Sequence, residues 1–264
     1  MSHSSGRACS WKQSGLTMGN RAPHAGWLQP GAFPNLERAS FAPSATLTVV
    51  VLTYNEAMHI ERCLARAAQV ADEIIVVDSY STDGTPQLAT HLGARVVQHS
   101  WTNHASQFNW ALENVGIHTA WVMRLDADEI LDDVVSASLK QQLAAAPHDV
   151  GGFELNRRIR FMGQEIRHGG MSPMWVTRVW RNGQAHCESR WMDEHIVVEA
   201  GRVERARGSL IDDNLNSLTW WTEKHNTYAS REALDLLMLK YKEANGEGAM
   251  QDRLNRQATV KRWL

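Results

Sequence analysis

From Thr46 onward, short apolar runs alternate with segments of helical period. Leu47–Thr53 is β-branched and almost wholly apolar, the pattern of a strand buried on both faces. Ile60, Cys63, Leu64 and Ala67 then recur at helical spacing and predict a helix covering Glu56 to Val70. Residues 73–78 repeat the buried-strand pattern and end in an acid, Asp78. Ser79 to Gly84 reads as a tight loop, and Thr85-Pro86 opens a helix that Gly93 stops. A short strand at 95–97, a helix over 104–114 and an apolar strand over 121–125 follow. Strands alternating with helices predict an α/β fold, a mostly parallel central sheet with helices on both faces.

The texture changes after a helix over 134–146 that stops at Pro147. Phe153, Leu155, Ile159 and Phe161 precede Met162-Gly163, and Asn182-Gly183 marks a hairpin turn. This half is basic, with Arg157, Arg158, Arg160, Arg167, His168, Arg178 and Arg181. They make either a solvated strand face or a cationic wall for phosphates. A short strand over 196–198 follows, then a long helix starting at Ser217 with Asn216 as its cap. Its apolar spacing runs to Tyr241, and Asn245-Gly246 ends it.

Residues 1–45 hold four of the seven prolines, Pro23, Pro30, Pro34 and Pro43, the composition of a disordered extension. The formal net charge of −2 argues against a general nucleic-acid binder. Cys9, Cys63 and Cys187 give neither a disulfide framework nor a zinc pattern, which fits a reducing cytoplasm. No apolar run reaches the length of a spanning helix. Some of the eleven tryptophans, most of them beyond residue 100, offer flat faces on which a sugar ring can rest.

Chemistry concentrates where the 121–125 strand runs into Asp126-Ala127-Asp128-Glu129. Open α/β sheets bind ligands at the carboxyl ends of their strands. Alternate residues of an extended chain point the same way, which would let Asp126 and Asp128 face one divalent cation shared with phosphates. The bland reading makes these acids the cap of the next helix. Asp78 reads either as a nucleotide contact or as the cap of its own turn, and Asn55 and Glu56 as nucleotide contacts or a helix N-terminus. No glycine-rich phosphate loop of dinucleotide or P-loop type is present.

In combination these residues resemble the family 2 inverting glycosyltransferases of GT-A fold. Thr53-Tyr-Asn-Glu56 is similar to that family's first nucleotide loop. Val77-Asp78-Ser79 with Ser81-Thr-Asp-Gly-Thr85 is similar to its second, Leu125-Asp-Ala-Asp-Glu129 to its metal-binding D-x-D, and Trp191-Met-Asp-Glu-His195 to the segment that supplies the acceptor base. The resemblance covers about 47–241 and is nearest to bacterial enzymes that build lipopolysaccharide cores or exopolysaccharide. It implies a GT-A domain over 46–216, with a nucleotide-sugar half (46–130), an acceptor half (131–216) and a helical segment from 217. It also implies that Thr53, Asn55, Glu56, Asp78 and Asp126 hold a nucleoside-diphosphate sugar, with uridine donors the commonest. Asp128, with Asp126, would hold Mg²⁺ or Mn²⁺, and Glu194 or Asp193 would deprotonate a glycan hydroxyl. A cytoplasmic enzyme peripheral to the membrane is expected. The alternatives are a non-catalytic nucleotide-sugar-binding protein and a sugar nucleotidyltransferase. Two departures stand out. The family often has Gln-Arg-Asn where this chain has Gln107-Phe108-Asn109, and its members commonly continue past residue 264 in a basic, aromatic, membrane-facing segment, which implies truncation or weaker docking.

Overall fold

The computed structural model describes residues 46–188 and 194–244. The predicted N-terminal extension, Asp193 and the predicted helix stop at Asn245-Gly246 lie outside the described residues.

Six elements open the fold: β1 (Leu47–Thr53), α1 (Ile60–Ala67), β2 (Glu73–Asp78), α2 (Thr85–His91), β3 (Arg95–Gln98) and α3 (His104–Asn114). There follow β4 (Trp121–Asp126), β5 (Glu129–Leu131), α4 (Asp133–Ala145), β6 (Val150–Phe161) and β7 (Gln164–Glu165). The last elements are β8 (Met174–Arg181), β9 (Ala185–Cys187), β10 (Ile196–Val198), β11 (Arg202–Asp213) and α5 (Leu218–Ala244).

The main sheet runs β3-β2-β1-β4-β8-β6-β11-β5, with β7 on β6. Its first four strands are parallel, as predicted. The second half is mixed: β8 is antiparallel to β4 and β6, while β11 is parallel to β6 and antiparallel to β5.

β1 is buried along its whole length because both faces are covered. Val49 and Val51 pack with Ile60 and Leu64 of α1 and Leu139 of α4. Val50 and Leu52 pack with Phe108 and Ala111 of α3. Period-two alternation thus sends neighbouring residues into two separate cores.

Two local expectations are corrected. α1 is shorter than the 56–70 span, since 56–59 form a turn that joins the site. Ser217, not Asn216, caps α5: its Oγ accepts from Trp220 N–H at 3.3 Å, while the Asn216 amide is engaged with Asn214.

Candidate active site

Strand register alone assembles the predicted donor residues. Thr53 lies opposite Asp78, and Leu52 opposite Asp126, so β2, β1 and β4 end together at one carboxyl edge. Asp78 is wholly buried. Its Oδ1 accepts from Thr53 Oγ1 at 2.9 Å and Ser81 Oγ at 2.5 Å, and its Oδ2 from Ser81 N–H at 2.9 Å and Gln98 Nε2 at 3.3 Å. Those four bonds fix the shape of the 79–85 loop. That loop is joined in turn to the one after β1. Asn55, in the left-handed region at φ 55°, donates its N–H to Ser81 Oγ and accepts from Thr82 N–H. Glu56 N–H donates to Thr85 Oγ1, and Ala57 N–H to Asp83 Oδ2. Asn55 is exposed on this lip and Glu56 is half-buried, whereas Thr53 and Asp78 are enclosed beneath it.

The strand ends at Asp126, and residues 127–128 turn the chain into β5. Asp126 and Asp128 are therefore not alternate residues of one extended strand, as the sequence reading supposed. They flank a turn, and both still act electrostatically on Cys63 and Asp212. The helix-cap reading falls elsewhere, on Asp132, whose Oδ1 accepts from Val135 N–H at 2.9 Å.

Five guanidinium groups meet five carboxylates here. Asp126 accepts from Arg124 Nε and Nη2 on one oxygen and from Arg178 Nη2 on the other, all at 3.3 Å. Glu129, 1% exposed, takes Arg178 on one oxygen and Asp126 N–H, at 3.0 Å, on the other. Arg157 pairs with Asp212, and Arg62 and Arg160 share Asp213. Asp128 Oδ2 accepts from Asn214 Nδ2 at 2.9 Å. Burial alone would raise the Asp126 carboxyl pKa, but Arg124 and Arg178 outweigh it and hold Asp126 well below the usual range. Glu129 goes the other way: burial and the adjacent Asp126 charge push it up to about 7 against Arg178.

Asn109 of α3 grips β9. Its Nδ2 donates to the Cys187 carbonyl and its Oδ1 accepts the Cys187 N–H, both at 2.8 Å. The segment between β9 and β10 is closed by Glu188 N–H donating to the His195 carbonyl at 2.9 Å. Glu194, half-buried, lies within electrostatic reach of Arg124, His104 and Cys187. His104, at the start of α3, also feels Asp126 and Lys224 of α5, which brings α5 to the rim of the site. Burial holds His104 below the ordinary histidine range.

The sequence reading missed several participants. Arg124 is buried inside an otherwise apolar run, and a charge within a buried run is the signal that marks it. His59, Asn214 and His104 carry no comparable signal. Of the basic residues predicted as one wall, Arg157, Arg160 and Arg178 reach the site. Arg158 and Arg167 instead pair with Glu165. Arg181 lies over Trp121 at 4.4 Å and donates to the Val150 and Pro147 carbonyls. At the position where the resemblance implied an arginine, Phe108 is buried, with the Arg124 guanidinium 5.6 Å from its ring.

The family model for glycosyl transferase family 2 matches residues 48–187. The lipopolysaccharide core biosynthesis glycosyltransferase LpsC of Rhizobium meliloti is 30% identical over 198 residues, covering 72% of each chain. The uncharacterized glycosyltransferase RP128 of Rickettsia prowazekii is 36% identical over 200 residues, 72% of this chain and 68% of that protein. Other Rickettsia glycosyltransferases align over about a third of their length. Among solved structures, Staphylococcus aureus TarS 1-349 is a remote likeness, 18% identical with a TM-score of 0.48 over 64% of this chain and 60% of that one. The match spans the 53–57 and 78–85 loops and the Asp126–Glu129 turn, and the chain belongs to glycosyl transferase family 2, with its GT-A fold.

Proposed function

We propose that this glycosyltransferase moves a sugar from a nucleoside-diphosphate sugar to a hydroxyl of a growing glycan, in one inverting displacement. The observation that carries the reading is the convergence at one carboxyl edge of the 53–57 and 78–85 loops, the Asp126–Asp128 turn and Glu194. The alternatives of a non-catalytic binding protein and a nucleotidyltransferase give way to the family match.

The exposed lip at Asn55 and Glu56 is assigned to the base and ribose, with Thr53 and Asp78 shaping it from beneath. Asp126 and Asp128 suit Mg²⁺ or Mn²⁺. No group of three His, Cys, Asp or Glu closes a metal site among the described residues. Two carboxylates are nevertheless what a cation needs when phosphates and water complete its shell. Asp128 Oδ1 accepts no hydrogen bond among the described residues, which leaves it available. Bound there, the cation would act as a Lewis acid that stabilises charge on the departing diphosphate. The chain adds its own cations: the buried Nε–H groups of Arg157 and Arg178 have no hydrogen-bond partner among the described residues, although Arg157 Nε lies 3.8 Å from Glu129 Oε1, so both guanidinium groups carry positive charge close to the site assigned to the diphosphate.

Glu194, or Asp193, is assigned as the base that takes the acceptor hydroxyl proton as the oxygen attacks the anomeric carbon. A single displacement of this kind needs no covalent enzyme intermediate. Residues 46–216 are assigned as the transferase domain, followed by the α5 segment. The second half also serves the donor side, through Arg157, Arg178 and Asp212. Likeness to LpsC supports a lipopolysaccharide-core acceptor, with exopolysaccharide as the neighbouring class. No helix among the described residues is long and apolar enough to cross a membrane. We assign the enzyme to the cytoplasm, with peripheral contact at the inner membrane face. A panel of nucleotide sugars, UDP-sugars first, tests the proposal. One donor should release nucleoside diphosphate only with Mg²⁺ or Mn²⁺ and a glycan acceptor, and metal-independent release would contradict it.

A further inference from the structure

One short run, Asp212-Asp213-Asn214-Leu215-Asn216, leaves β11 and crosses the site before α5 begins. Four of its residues reach back into the site. Asp212 pairs with Arg157, and Asp213 takes Arg62 and Arg160. Asp213 N–H also donates to the Asp128 carbonyl at 3.0 Å. Asn214 Nδ2 donates to Asp128 Oδ2, and Leu215 N–H donates to His59 Nε2, each at 2.9 Å. Asn216 closes the run on itself: its N–H and Nδ2 both donate to Asn214 Oδ1 at 3.0 Å.

These bonds fix two orientations. A backbone N–H only donates, so the Asn214 atom that meets Asn216 N–H is the carbonyl oxygen, and the NH₂ group faces Asp128. By the same logic His59 Nε2, accepting from Leu215 N–H, carries no proton. Nδ1 carries it and donates to Glu56 Oε2 at 2.6 Å. His59 is 1% exposed, so water does not offer a substitute partner. One segment therefore ties down two carboxylates on separate loops, Asp128 after β4 and Glu56 after β1.

We propose that Asn214 and His59 are positioning residues for the cation site, a role that rests on reading Asp128 as its ligand. With Oδ2 held by the Asn214 amide, Asp128 presents Oδ1 in a single direction. His59 anchors the strap that carries Asn214, so that loosening His59 releases the Asp128 carboxylate from a distance. A partner that orients a metal ligand typically changes metal affinity about 10- to 100-fold when it is removed. A side chain that only tidied a loop would lower the melting temperature and leave metal affinity alone.

Mn²⁺ titration of the full chain, followed by electron paramagnetic resonance, tests this. It is done with whichever of UDP, GDP or dTDP most raises the wild-type melting temperature. Asn214→Ala is expected to weaken Mn²⁺ binding about 10- to 100-fold, and Asn214→Leu, which keeps the volume, carries the same comparison should the alanine variant not fold. His59→Leu should weaken it as well. His59→Gln, which has one donor and one acceptor for Glu56 and Leu215, should restore it. Wild-type affinity in the Asn214 variants, with affinity lost in Asp128→Ala, overturns the positioning role and leaves the ligand assignment standing. Wild-type affinity in Asp128→Ala, or no Mn²⁺ binding by the wild type, overturns both.

Discussion

Asn109→Ala isolates the link between α3 and the acceptor side. The wild-type amide satisfies the Cys187 N–H and carbonyl together, at 2.8 Å each. Cys187 is buried, and β9 and β10 pair through three residue pairs, with Cys187 and Ile196 packed in the core beside Phe108 and Trp180, so the Asn109 amide supplies the polar part of the docking. Leaving two backbone groups unpaired in a half-enclosed place costs about 1–1.5 kcal/mol each, the lower end of the range for buried groups. The sum, about 2–3 kcal/mol, corresponds to an undocked hairpin populated roughly 30- to 140-fold more than in the wild type, at tenfold per 1.4 kcal/mol. Hydrogen exchange reads this directly. Amides of Ala185–Cys187 and Ile196–Val198 should exchange faster by that factor, while those of β1 and β2 stay unchanged. Because Glu194 lies two residues before β10, transfer should fall while nucleotide binding persists. Unchanged exchange in β9 and β10 would refute the idea that Asn109 docks the acceptor side.

Two further outcomes follow from the charges in the site. The Glu129 pKa is raised to about 7 by burial, so the folded state favours its protonated form. That contribution is complete below the ordinary glutamate value and is lost as pH rises through about 7. The melting temperature of the wild type relative to Glu129→Gln should therefore fall between pH 5 and pH 8, and a constant or rising difference would count against the assignment. Glu194→Gln should bind the nucleotide donor as the wild type does and lose transfer, and retained transfer would move the base to Asp193 or elsewhere.

The parallel half of the fold was plain in the residues. β1, β2 and α3 have the predicted bounds and β4 extends one residue further, to Asp126, because strands covered on both faces leave unbroken apolar runs. Register then turned three separate loops into one edge without further information. What the residues did not disclose was pairing. Asp212, Asp213 and Asn214 carry no local sign of theirs, because their partners, Arg157, Arg62 and Asp128, lie between about 55 and 151 residues away. Asp78 caps its own turn, as one of its two readings had it. It sits in the predicted place, yet all its hydrogen bonds are to its own loop and its neighbours, so its part is to shape the lip. The alternation argument for Asp126 and Asp128 failed locally, since the strand ends at Asp126, two residues short of Asp128.

In the transfer reaction proposed for this enzyme, a cation sits between the Asp126–Asp128 turn and a diphosphate. Anomalous scattering from crystals grown with Mn²⁺ and the preferred nucleoside diphosphate tests it most directly. A Mn²⁺ peak is expected within bonding distance of Asp128 Oδ1 and of diphosphate oxygens, beside the 53–57 loop. A nucleotide bound there with its phosphates held by arginines alone, or Mn²⁺ bound away from Asp128, would contradict it.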